Sequence, residues 1–166
     1  MVAATWMYID QNVAQTSHRI TDAELKSKGT PALPELQALA SLLDKCIAHN
    51  ITIVAHNTAF EASKLNATAL THKLGRLVIY RDQMFCSMEG SKERCLLPQR
   101  GSGFKKPSNK EFFNIMFACF PAGRLHRALA DCRVTLAAYS RASERGWYRV
   151  AALSAANRTK KARLGH

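Results

Sequence analysis

Apolar residues recur along this chain in two rhythms, and the rhythms predict its elements. From Pro34 onward, Leu36, Leu39, Leu43, Cys46 and Ile47 fall three or four apart, the spacing of one helix face, ending near His49-Asn50. Ile51-Thr52-Ile53-Val54-Ala55 is a largely β-branched run and predicts a buried strand. Phe60 to Leu74 then predicts a helix, with Asn57 as its cap and Gly75 closing it. Asn109 to Phe120 predicts an aromatic-rich helix built on Phe112, Phe113, Met116, Phe117 and Phe120, and Leu129 to Arg145 another, stopped by Gly146. The aromatic stripe is expected in the core, with a protein-docking face as the alternative.

Shorter segments fill the rest. Thr5 to Asp10 alternates as a short strand would. Thr21-Asp22-Ala23-Glu24 reads as a capping box opening a short helix that stops near Gly29. Val78 to Tyr80 suggests a strand, and Ser87 to Leu97 a helix interrupted by Gly90. Pro98 to Pro107, with its glycines, prolines and basic residues, predicts an exposed loop. Strands alternating with helices give an α/β domain. Few of the strands are strong.

Composition narrows the function classes. The chain has 166 residues, 47% hydrophobic and 22% charged, which suits one globular domain. We divide it into a domain over 1–150 and a basic tail over 151–166. No run of 18 apolar residues and no leader pattern occur, so no membrane span and no secretion are expected, and no membrane is counted among the partners. Lys and Arg number 24 against 12 Asp and Glu, a formal charge of +12, and such a field attracts nucleic acid. Cys46, Cys86, Cys95, Cys119 and Cys132 show no zinc-finger spacing and read as buried thiols in a reducing, intracellular compartment, cytoplasm or nucleus.

The candidate chemistry lies in two segments, Val54-Ala55-His56-Asn57-Thr58-Ala59-Phe60-Glu61 and His126-Arg127-Ala128-Leu129-Ala130-Asp131. Glu61 follows a strand and enters a helix, a common place for a ligand in α/β proteins. Asp131 is in a first helical turn, where the helix dipole alone would favour a carboxylate. His126 precedes that helix, where its ring could overhang a cleft and take a proton. Taken singly, each has a bland reading: helix-start acids, a surface histidine, and for His56 a satisfied core residue. Asp22 and Glu24 tempt as a chelating pair, but one residue apart on a helix they do not face each other. Asp10 stands alone.

These two segments, in this order, resemble the last two motifs of the DEDDh 3′–5′ exonucleases. Further pieces are similar in register: Ser17-His18-Arg19-Ile20-Thr21 with Glu24-Leu25, Phe85-Cys86-Ser87-Met88, and Leu97-Pro98 through Gly103-Phe104-Lys105-Lys106-Pro107, so that the likeness covers about residues 4 to 146. The family implies a ribonuclease H-like fold, a mixed sheet flanked by helices. Here it would be incomplete: Thr5 to Asp10 corresponds to the third strand, and the first two, central strands with their Asp-x-Glu pair have no counterpart in the sequence. The resemblance implies two magnesium or manganese ions held by Asp131 and Glu61, with His126, Asp131 and Glu61 catalytic. His56, Asn57 and Phe60 would contact the substrate, a DNA or RNA 3′ end. With Glu61 where the motif has Asp, and no acidic pair, a non-catalytic nucleic-acid-binding remnant is the alternative function. A homodimer, or a partner supplying the missing strands, is the expected assembly.

Overall fold

The computed structural model describes residues 20–75, 77, 83–123 and 125–148. The expected strands at Thr5–Asp10 and Val78–Tyr80, and the tail over 151–166, lie outside the described residues. In chain order the elements are α1 (Asp22–Lys28), α2 (Ala32–Ala48), β1 (Ile53–Ala55), α3 (Thr58–Thr71), β2 (Met84–Cys86), α4 (Ser87–Cys95), α5 (Asn109–Phe117) and α6 (Ala128–Glu144). Among the described residues this is a mixed α/β architecture, six helices with a two-stranded parallel sheet.

The sheet pairs Ile53 with Met84, Val54 with Phe85 and Ala55 with Cys86. Successive side chains on a strand point to opposite faces, and the packing follows. Ile53 packs against Leu43 of α2, Ala69 of α3 and Leu77. Phe85 packs on the other side against Phe112 and Met116 of α5, Ala138 and Ala142 of α6, and Tyr148. Helices therefore cover both sheet faces. The ring of Phe85 meets Tyr139 and Tyr148 at centroid distances of 5.5 and 4.7 Å, which ties β2 to the end of α6.

Three helices close in the same way; two of the ends lie where the sequence put them, near His49-Asn50 and at Gly146, and one does not. The amides of Ile51, Leu74 and Trp147 each bond back five residues, to Cys46, Ala69 and Ala142. The residue before the end of each turn, Asn50, Lys73 and Gly146, takes a left-handed conformation. Lys73 rather than Gly75 closes α3, and Ile51 belongs to the end of α2 rather than to a strand. That is why β1 is shorter than the β-branched run and why Ile51 stays half exposed.

Other expectations also need correction. Gly90 does not interrupt α4. The helix runs through it, and a Cβ there would meet Phe85 Cζ at 2.7 Å, so the glycine makes room for the aromatic core. The segment before Pro107 is a loop, closed by an antiparallel bridge between Pro98 and Phe104, but Pro107 itself is fully buried. Helix α5 stops at Phe117, where Ala118 turns left-handed; Phe112 and Met116 are core, while Phe117 and Phe120 are exposed. Strand β2 was not anticipated from Met84-Phe85-Cys86. No helix among the described residues is long and apolar enough to cross a membrane.

Candidate active site

Strand β1 delivers the chain to the mouth of a cleft of about 750 Å³. Val54, Ala55 and His56 form one wall, and Glu61 enters from the first turn of α3. Ser108, Asn109 and Lys110 come from the start of α5; His126, Asp131 and Cys132 come from the start of α6. Segments distant in sequence meet here in part because β1 and β2 are parallel: α3 carries the chain back to the start of the sheet, so β2 leaves it at the same end as β1.

The turn from β1 into α3 is held by backbone geometry. Asn57 occupies the cap position in a left-handed conformation (φ 85°, ψ 62°), and its side chain makes no capping bond. Its carbonyl instead accepts the amides of Phe60 and Glu61 at 3.1 and 3.2 Å. The expected cap is right in place and wrong in chemistry. Phe60, half exposed, carries the Lys64 ammonium 5.4 Å from its ring centroid.

His56 is locked. Its Nε2 lies 2.9 Å from the Pro107 carbonyl, which can only accept, so Nε2 carries the proton. Nδ1 is then the acceptor for the buried Ser87 hydroxyl at 3.0 Å. Burial holds the His56 pKa below the ordinary imidazole value, against the opposing pull of the Pro107 carbonyl. Both ring nitrogens serve the protein, so the ring joins β1, α4 and the start of α5. A substrate could meet only its face or edge.

Glu61 is exposed as a residue, but desolvation at the cleft wall raises the pKa of its carboxyl, and the charge of Asp131 raises it further. Cys132 is exposed as a residue, but its thiol is pushed up by desolvation on the cleft side and then by Glu61 and Asp131. Glu61 and Cys132 thus both register the negative charge of Asp131. Asp131 is fixed on both sides: Oδ1 accepts the His126 amide at 3.2 Å, and its backbone carbonyl accepts Asn109 Nδ2 at 3.1 Å. His126 is left-handed (φ 63°), a rare conformation for a residue with a side chain, and its bond to Asp131 helps to hold it there. Behind it Arg127 pairs with Glu24 of α1 at 3.2 Å, and that hydrogen bond lowers the Glu24 pKa. Glu24 therefore completes only half of a capping box: its amide bonds Thr21 Oγ1 at 3.1 Å, while its carboxylate turns to Arg127.

The structure brings Glu61, His126, Asp131 and His56 to one cleft, with Asn57 and Phe60 on the adjoining turn. Asp22 and Glu24 lie on the helix α1, as their capping sequence led us to expect, and Asp10 is outside the described residues. Two carboxylates whose charges oppose each other in one cleft are oxygen donors of the kind a hard divalent cation takes. Among the described residues no group of three or more His, Cys, Asp or Glu side chains could hold a metal ion, so any such ion would have two carboxylates and keep several waters. The reading of the thiols as buried needs correction: Cys119 and Cys132 are exposed, the other three half-buried, and all five free.

Sequence reasoning missed Asn109 and Lys110. One signal was present, since Ser108-Asn109-Lys110-Glu111 is a capping box, and its reciprocal bonds are both formed at the start of α5. Nothing in the sequence placed that helix start beside Asp131. The chain matches no protein-family model, no curated protein and no solved structure.

Proposed function

We propose that this chain is a ribonuclease H-like 3′–5′ exonuclease of the DEDDh type, acting on DNA or RNA ends with magnesium or manganese. The observation that carries the reading is the convergence of Glu61, Asp131 and His126 on one cleft from helices far apart in sequence. The parallel pair of β1 and β2 flanked by helices is compatible with such a sheet, and the +12 charge suits a polyanionic substrate. Five free thiols suit an intracellular setting.

Glu61 and Asp131 would hold the cation. A bound divalent ion would acidify a water and offset charge on the scissile phosphate. The His126 ring, at the lip of the same cleft, would take the proton of the attacking water. Asp131, by accepting the His126 amide, fixes the backbone from which that ring projects. Asn109 ties α5 to the carbonyl of Asp131 and to Thr135 Oγ1, so the cleft's two helical walls keep their spacing. Lys110 would neutralise a phosphate oxygen at the cleft wall.

The test is degradation of a 5′-labelled single-stranded oligonucleotide with magnesium or manganese. Stepwise 3′ shortening by wild type, lost at least about a hundredfold in Asp131→Ala and His126→Ala, is the expected result. Equal background in all three would end the enzyme reading. A second reading, a non-catalytic nucleic-acid-binding protein, is favoured by the two-carboxylate donor set. It predicts salt-sensitive binding without turnover.

A further inference from the structure

Phe120 is 62% exposed, more than any other phenylalanine among the described residues. It does not continue the buried stripe of Phe112 and Met116, because Ala118 turns left-handed and ends α5. A helix of 9 residues is roughly 13 Å long. The chain must therefore turn back along α5 for Phe120 to meet Lys110 near the helix start, and it does: the Lys110 ammonium lies 4.6 Å from the Phe120 ring centroid. Lys110 also lines the cleft that holds Glu61 and Asp131, and it has no ion-pair partner among the described residues. Nearby Lys105 and Lys106, by contrast, are paired with Glu111 and Glu89.

Beside the cleft, the exposed Phe120 ring thus carries on one face an ammonium that makes no ion pair among the described residues, and leaves its other face for a ligand. A ligand that satisfies both needs a flat π surface and a negative charge a few ångströms away. One nucleotide of an unpaired strand has this form: its base stacks on an aromatic ring and its phosphate takes a cation. A base inside a duplex has its faces covered by its neighbours and offers only its edges. We propose that Phe120 and Lys110 form a nucleotide subsite for single-stranded nucleic acid at the rim of the cleft. The proposal rests on the nucleic-acid reading of the cleft and adds to it strand state and a residue outside every motif considered above.

The test is equilibrium binding of fluorescein-labelled oligo(dT) and of a blunt hairpin duplex, by anisotropy, to the full chain in EDTA over a series of salt concentrations. Phe120→Ala is expected to weaken oligo(dT) binding about tenfold with the salt slope unchanged, and Phe120→Trp to restore it. Lys110→Gln is expected to weaken binding and to lower the slope by about one phosphate contact. Phe117→Ala, removing an exposed ring that rests on Phe113 at 4.6 Å, is expected to leave binding unchanged. Thermal melts of each variant establish that it folds. Parental affinity in Phe120→Ala alongside a loss in Lys110→Gln would overturn the subsite and leave the nucleic-acid reading standing. Equal losses on duplex and single strand would overturn its strand preference. If the parent binds neither probe, the reading of the cleft falls and the subsite with it.

Discussion

Glu61 and Asp131, each in the first turn of its own helix, share one cleft, where desolvation first and the negative charge of Asp131 second raise the proton affinity of Glu61. Helix N-termini favour carboxylates, so each acid is locally comfortable. Their opposition arises only where α3 and α6 meet. A pair of like charges held in one cleft costs stability, and carboxyls perturbed in this way cluster at functional sites.

The first prediction follows from that cost. The folded-state pKa of Glu61 lies above its ordinary value of 4.5, so in that range the folded protein binds more protons than the unfolded chain. Its contribution therefore falls as pH rises from about 4.5 through the folded value, and at neutral pH the ionised group destabilises. Glu61→Gln is expected to raise the Tm at pH 7.5 and to leave it unchanged at pH 3.5. A Tm lowered at pH 7.5 would contradict the stated environment of the carboxyl.

A cation binding between the two acids should relieve the same repulsion. Millimolar magnesium or manganese is expected to raise the wild-type Tm by a few degrees over potassium chloride of equal ionic strength, through preferential binding to the folded state. Asp131→Asn and Glu61→Gln should each abolish the increment. An increment that survives in both variants would place the ion elsewhere.

His56 supplies a test of the scaffold beneath the site. Its folded pKa is depressed below 6.5, so the folded state binds fewer protons than the unfolded chain, and stability declines as pH falls below about 6.5. His56→Ala is expected to remove that slope. It should also destabilise by about 1–3 kcal/mol for each buried partner, Ser87 Oγ and the Pro107 carbonyl, left unbonded. Denaturant melts between pH 5 and 8 would read both effects, and a variant as stable as wild type would remove the ring's role as a tie.

Gly90 sets helix propensity against packing. Alanine in a helix interior gains roughly 1 kcal/mol over glycine. Here its Cβ would press on Phe85 Cζ at 2.7 Å and Tyr148 Cε1 at 3.3 Å, inside an aromatic cluster with little room to yield. Overpacking of that kind costs about 1–3 kcal/mol, so Gly90→Ala is expected to be net destabilising in urea melts. A stabilised variant would show that Phe85 can move aside.

The contrast between Gly90 and Ile51 shows where local reading loses its hold. Gly90 looks like a helix breaker until the ring of Phe85 is placed across from it. Ile51 looks like the first residue of a strand until its amide is seen bonded to Cys46, closing the preceding helix. In both cases a neighbour absent from the local window outweighs a propensity worth under a kilocalorie or so.

The order of letters alone determined the long helices, because periodic apolar faces demand burial whatever the partner: α2, α3, α5 and α6 all lie where the spacing puts them, give or take a few residues. It singled out Glu61, His126 and Asp131 only through the likeness of their two segments to exonuclease motifs; by residue type and position alone each read as a helix-start acid or a surface histidine. Tertiary structure alone decided that those three share a cleft with Asn109 and Lys110, that His56 is bound at both nitrogens, and that Phe120 lies outside the core. Such facts depend on the crossing of helices and the pairing of β1 with β2, and distances between segments are set by packing, which no local pattern encodes.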